Sequence, residues 1–189
     1  PKYSFRALER NRVFNEALRG KVVLDAGCGI GRLVEKLSST RRLAIGIDIE
    51  MGLLKKALPS IRNQMIHGSI EYLPFRDDVF DVVILEEVVE HLHQPSKVMD
   101  GVRRVLQKEG RLIVSTPNAK IYSLIRFFLH APFPFDHVKE YDISELRSLV
   151  TKTFGNTSIE GLNPYFPKFL LRKFPSLGIV LLAFSTKMS

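Results

Sequence analysis

The segment Asp25-Ala26-Gly27-Cys28-Gly29-Ile30-Gly31 sets the first chemical possibility. Glycines at alternate positions let the backbone come close to a ligand and turn its N–H groups toward it, because no Cβ stands in the way. A dinucleotide fingerprint GxGxxG starting at Gly27 requires glycine at position 32, and that residue is Arg32. The loop is therefore not spaced to seat a pyrophosphate on a helix N-terminus. Asp25 suits a ligand's ammonium group, or a water ordered by it. The same segment also reads as a plain tight turn from strand to helix. Asp48 closes the run LAIGID, and its two oxygens match the paired O–H donors of a ribose. It equally suits the N-cap of a helix from Met51.

Other titratable groups follow. Glu86 ends an apolar run, at what would be the carboxyl edge of a sheet, where open α/β sheets bind ligands. Glu87, Glu90 and His91 stand at i, i+3 and i+4. That spacing fits ligands for a divalent ion and fits equally a polar helical face, so no metal is assigned. His137, in HVKEY, has an imidazole whose ordinary pKa of ~6.5 allows it to take a proton from an acceptor. It also reads as a structural histidine bonded to backbone, and His91 and His93 are secondary candidates. Cys28, the single cysteine, sits between Gly27 and Gly29 and is read as a small loop residue rather than a reactive thiol.

The elements that must position these groups alternate. Lys21 to Ala26 is a buried strand entering the glycine loop, Leu33, Val34 and Leu37 recur at helical spacing, and Leu43 to Ile47 is a second strand. Strand, helix, strand begins a βαβ unit. Met51 to Leu58 reads as an apolar helical stripe closed by Pro59, with strands at Gln64 to His67 and Val79 to Leu85. Pro95 opens a helix whose apolar face is Val98, Val102, Val105 and Leu106, and Gly110 reads as its C-cap. Arg111 to Ser115 is the fifth strand. Residues 1–20 are read as an N-terminal helical segment and Ile121 to Leu129 as a hydrophobic helix. Ala131 to Phe135 is a loop, and Asp142 with Glu145 caps a helix to Val150. Strand-like runs follow at Thr157 to Leu162 and Leu177 to Ser185.

With 189 residues, 45% of them hydrophobic and 25% charged, the chain suits one domain spanning 1–189 with one core. The net charge of +8 favours acidic partners, yet Arg6, Arg10, Arg41, Lys55, Arg103 and others spread over many elements, as on solvated faces. One cysteine excludes a disulfide framework and a CxxC zinc set, and fits a reducing, cytoplasmic setting. No run approaches the ~20 apolar residues of a membrane span. The start carries no charged-then-apolar secretory signal pattern, and it opens with Pro1 rather than methionine, so some native N-terminal residues are expected to be missing.

VVLDAGCGIGRLVEKL (22–37), GIDIE (46–50), GSIEYLPFRDDVFDVVILEEVVEHL (68–92), VRRVLQKEGRLIVSTPN (102–118) and HVKEYDISELRSLV (137–150) together resemble the class I S-adenosylmethionine-dependent methyltransferases, within the ubiquinone- and menaquinone-biosynthesis-like small-molecule group. The resemblance implies an α/β Rossmann-like fold: a seven-stranded, mostly parallel sheet, helices on both faces, and an antiparallel final strand at Leu177 to Lys187. It implies S-adenosyl-L-methionine as cofactor and S-adenosyl-L-homocysteine as product. By position, Asp25, Gly27, Cys28, Gly29 and Gly31 are the cofactor loop, Asp48 and Ile49 the ribose and adenine edge, and Ser69 and Ile70 the adenine pocket. Relatives commonly have Asp where Ser69 stands. Glu86 would lie near cofactor and acceptor. Glu87, Glu90 and His91 are similar to a set linked with divalent-metal use in ubiquinone O-methyltransferases, and His137 falls in a segment that borders the active site in relatives.

Methyl transfer needs alignment and water exclusion more than strong acids, because the cofactor already carries an activated methyl. Segments 119–135 and 163–175 are read as lid or substrate-side insertions. Their Phe127, Phe128, Phe133, Phe135, Phe166 and Phe169 suggest a greasy acceptor, or a lid packed on the core. Lys168, Arg172 and Lys173 among aromatics also suit a membrane surface or nucleic acid. Competing readings are a nucleic-acid methyltransferase or RNA-binding module, and a non-catalytic cofactor-binding protein. A small-molecule acceptor and a monomer or homodimer are expected.

Overall fold

A computed structural model of the chain describes residues 5–130, 137–163, 165, 166 and 168–188. The expected loop at 131–135, with Phe133 and Phe135, lies outside them. Seven strands form one sheet in the order β3-β2-β1-β4-β5-β7-β6: β1 Val22–Ala26, β2 Leu43–Asp48, β3 Met65–His67, β4 Phe80–Glu86, β5 Leu106–Pro117, β6 Thr157–Leu162 and β7 Val180–Thr186. β1 pairs in parallel with β2 and β4, and β7 runs antiparallel to β5 and β6. This is the expected fold class. The strand order reverses between β1 and β4, which places a crevice where both strands end, at the glycine loop and Glu86.

Side-chain alternation along the central strands explains the layers. Val23, Val82 and Ile84 point to one face and pack with Val13 and Ala17 of α1 (Phe5–Ala17) and Val34 and Leu37 of α2 (Arg32–Ser38). Leu24, Val83 and Leu85 point to the other, against Val98, Met99 and Val102 of α4 (Pro95–Val105) and Leu146, Val150 and Phe154 of α6 (Ile143–Phe154). Each such buried side chain contributes roughly 1.5–3 kcal/mol relative to exposure.

Local signals fail where tertiary pairing outweighs them. The helix expected over 51–58 is one turn, α3 (Met51–Leu54), because only Leu54 and Ala57 of that stretch are buried and Pro59 holds Leu58 out of the helical region. Gly110 is not a helix cap. α4 ends at Val105, since Leu106 is fully buried and pairs with Phe80, so β5 starts five residues earlier than its apolar core suggests. The last strand begins at Val180 rather than Leu177, which closes a 3-10 turn opened by Pro175. β6 holds its expected bounds.

The Asp142–Glu145 pair forms a full capping box. Glu145 N–H donates to Asp142 Oδ1 at 3.0 Å and Asp142 N–H to Glu145 Oε2 at 3.0 Å. Hydrogen bonds from Ser144 and Glu145 hold the Asp142 carboxyl down at about 2. A depressed carboxylate stabilises the fold above its unfolded pKa and loses that contribution as pH falls toward the folded one. Asp142→Ala is expected to cost about 1 kcal/mol at pH 7 and much less near pH 2. Urea melts at both pH values check this.

Candidate active site

The glycine loop between β1 and α2 is built from three left-handed residues: Gly27 (φ 87°), Gly29 (φ 55°) and Gly31 (φ 78°). A Cβ on Gly27 would lie 2.4 Å from Val88, and one on Gly31 2.8 Å from Ile61 and Met65, so both are fixed by packing as well as by φ. A Cβ on Gly29 would meet nothing within 4 Å, leaving an open cradle at the loop tip. Asp48 fastens that tip. Its Oδ2 accepts from Gly29 N–H at 2.7 Å and its Oδ1 from Glu50 N–H at 2.8 Å, so it serves the turn into α3 and the loop at once.

The cradle opens into a cavity of about 950 Å³ at the carboxyl edge of the sheet. Asp25, Gly27, Cys28, Gly29, Glu86, Glu87, Glu90, His91 and His137 all line it, which unites most of the residues singled out in the sequence. Gly31, Asp48, Ile49, Ser69 and Ile70 are not among its lining residues. Ile49 is exposed, and Ser69 Oγ accepts from Glu71 N–H at 3.2 Å as the cap of a short turn. Nor do α5 (Ala119–Leu129) and α7 (Lys168–Lys173) contribute lining residues among those described, so Phe127, Phe128, Phe166 and Phe169 are not walls of this cavity.

Carboxylates dominate the floor. Burial, then the charges of Glu86 and Asp48, push Asp25 up to about 8. Burial also raises Glu86, against the Arg10 guanidinium 3.8 Å away. Glu9 enters from α1, is 1% exposed, and among the described residues its Oε1 has no hydrogen-bond partner. Burial raises it to about 7, opposed by a hydrogen bond to Ser115 and reinforced by Glu86 and Glu90. The sequence reading missed Glu9. Its signal was an acid at i−4 and i−8 from Val13 and Ala17, on the helix stripe that turns inward. The Cys28 thiol is pushed up by burial and by Asp25 and Asp48, which fits its exclusion from the chemistry.

Glu87, Glu90 and His91 do not form a helical surface face. Glu87 has φ 55°, residues Val89–His91 make a 3-10 turn, and Glu90 is buried with Oε2 accepting from Thr116 at 3.1 Å. His137 joins them: one ligand atom each from Glu90, His91 and His137 lie within 4.8 Å of one another, a carboxylate and two imidazoles of the type that suits first-row divalent metals. The backbone carbonyl of Glu90 accepts from Val138 and Lys139 N–H, which ties the His137 segment to this turn. His137 Nδ1 lies 3.5 Å from Glu140 Oε1, and the Arg126 guanidinium grips both Glu140 oxygens.

A family profile described as a methyltransferase domain matches residues 24–114. A probable S-adenosylmethionine-dependent methyltransferase of Mycolicibacterium smegmatis is 33% identical over 132 residues, 69% of this chain and 50% of that protein. A ubiquinone biosynthesis O-methyltransferase of Glaesserella parasuis is 30% identical over 120 residues, 57% of this chain and 51% of its own. The chain thus spans about half the length of the curated relatives it matches. Among solved structures, a SAM-dependent methyltransferase from Archaeoglobus fulgidus superposes with a TM-score of 0.69 at 20% identity, covering 94% of both chains. A Pyrococcus horikoshii protein gives 0.71 at 19%, covering 97% of this chain and 92% of that one. At these identities the superpositions speak to the fold alone.

Proposed function

Because residues 24–114 belong to the methyltransferase-domain family, we propose that the chain binds S-adenosyl-L-methionine at the glycine loop and transfers its methyl group to a small acceptor. The observation that carries this is the cavity itself: an open backbone cradle at Gly29 beside the buried carboxyls of Asp25 and Glu86. Such a site fits a ligand with an ammonium and a sulfonium and no phosphate. It fits a dinucleotide badly, since a pyrophosphate would face Asp25 and Glu86.

Asp25 and Glu86 would hold the cationic end of the cofactor, the loop N–H groups its carboxylate, and Asp48 the ribose hydroxyls by its remaining lone pairs. Ile49, Ser69 and Ile70 would border the adenine. When bound, the cofactor supplies a methyl on a positively charged sulfur, already activated for transfer. The remaining work falls to the chain. His137 is placed to accept the proton that a hydroxyl or amine acceptor gives up, with Glu140 and Arg126 fixing its ring. Asp25, Glu86 and Glu90 on the cavity floor favour a cationic or neutral group beside them, while Arg10, Arg32 and Lys36 also line the cavity.

Calorimetry with S-adenosyl-L-methionine tests the reading directly. Binding in the micromolar range is expected, and no heat of binding from a folded sample rejects it. A labelled-methyl screen over metabolite extracts then identifies the acceptor.

A further inference from the structure

α5 is an unusual helix for this fold position, since none of its described side chains is buried. Leu124, Phe127 and Phe128 are 54%, 75% and 69% exposed. The connection between β6 and β7 repeats the pattern, with Tyr165 at 84%, Phe169 at 70% and Phe174 at 47%. Both segments leave the sheet at one edge: β5 ends at Pro117, β6 at Leu162, and Val180 of β7 pairs with both. They are also joined. Asn118, the N-cap of α5, donates from Nδ2 to the carbonyls of Ser176 and Gly178, and its N–H donates to Ile179 O at 2.8 Å.

Large exposed aromatics on two segments that leave the sheet at the same edge mark an interaction face rather than scatter. Its charge identifies the partner. Residues 119–130 hold Lys120 and Arg126 and no acid, and residues 163–175 hold Lys168, Arg172 and Lys173 and no acid. Arg126 is engaged by Glu140, and the Asp142 and Glu145 carboxylates beside Leu124 and Phe127 are paired with Lys120 and Lys139, so among the described side chains Arg172 and Lys173 are the cations this face offers outward. A second copy would set these like charges against each other. Single-stranded nucleic acid stacks on aromatic rings, but Leu124 and Ile125 offer it nothing. A bilayer with anionic headgroups matches every part: rings and aliphatics at the acyl boundary, cations at the phosphates.

We propose that α5 and the 163–179 segment dock this protein on an anionic lipid surface. No helix of the described residues is long and apolar enough to cross a membrane, so the contact is peripheral. The same sheet edge carries the cavity, and docking would therefore bring the cavity beside the bilayer. The proposal is independent of methyl transfer.

The test is co-sedimentation of the whole chain with vesicles of phosphatidylcholine and phosphatidylglycerol in equal parts, against phosphatidylcholine alone. Binding to the mixed vesicles is expected, with at least ~10-fold less on the neutral ones, and a fall when salt reaches about 0.5 M. The double variant Phe127→Ser/Phe128→Ser should lose ~10-fold or more and keep its circular dichroism, since both rings are exposed. Arg172→Glu/Lys173→Glu should lose the preference for the anionic vesicles. No vesicle binding overturns the proposal. So does a dimer that Phe127→Ser/Phe128→Ser dissociates, or capture of labelled single-stranded RNA that the mixed vesicles fail to displace.

Discussion

Asp48→Ala is expected to lower the affinity for S-adenosyl-L-methionine on the order of 100-fold, about 3 kcal/mol. Two losses combine. The proposed ribose hydrogen bonds go, and so does the anchor that holds Gly29 N–H at 2.7 Å and sets the loop tip. Asp48→Asn sharpens the test. Both carboxylate oxygens accept from backbone N–H groups, those of Gly29 and Glu50. An asparagine would therefore point its NH₂ at one of them, and the isosteric change should recover little of the affinity. Calorimetry on both variants, with thermal melts to confirm folding, decides the point. Affinity within about threefold of the parent for either variant removes Asp48 from ligand binding.

The sheet was legible in the sequence because its strands are short apolar runs that end at glycine, aspartate or proline, and such punctuation survives whatever packs around it. The errors fell where local and tertiary preferences diverge. Gly110 has the composition of a helix cap, but Leu106 gains more from burial beside Phe80 than a further helical turn would give. At the site, Asp25, Glu86 and His137 were found from their positions at strand ends or in a matching motif. Glu9 and Glu140 were not, because their roles depend on the fold. α1 carries Glu9 across the sheet to Ser115, and only the Arg126 pair shows that Glu140 is held in place beside His137. The aromatic segments are a different case. Composition suggested a lid or a greasy acceptor side, and their described rings are exposed and stand outside the cavity lining.

Cofactor binding should release protons, and this follows from the cavity floor. Asp25 stands at about 8, Glu9 at about 7, and Glu86 and Glu90 are both raised, in each case chiefly by burial. At pH 7 the ligand-free Asp25 is mostly protonated. A cation held against it favours the ionised form, so binding must expel that proton, and affinity should rise toward tenfold per unit between pH 6 and 7.5. Above that window the ligand's own amine, with a typical pKa of ~7.7–8.0, titrates and the gain flattens. Folding runs the other way. These carboxyls bind protons more tightly folded than unfolded, so their contribution is complete below the ordinary carboxyl values of 3.8 and 4.5 and is lost as pH rises through 7 to 8. Asp25→Asn removes the titration with little change in shape. The variant is expected to melt at a higher temperature than the parent at pH 8, to bind S-adenosyl-L-methionine more weakly, and to show a shallower pH dependence, since Glu9, Glu86 and Glu90 still titrate. Calorimetry at pH 7 in buffers of different ionisation heat counts the protons: the parent is expected to release about one more than the variant. Equal counts would assign the linkage to another group. A parent that releases none would mean that the carboxylates meet no cation, and the proposed orientation of the cofactor would fall with them.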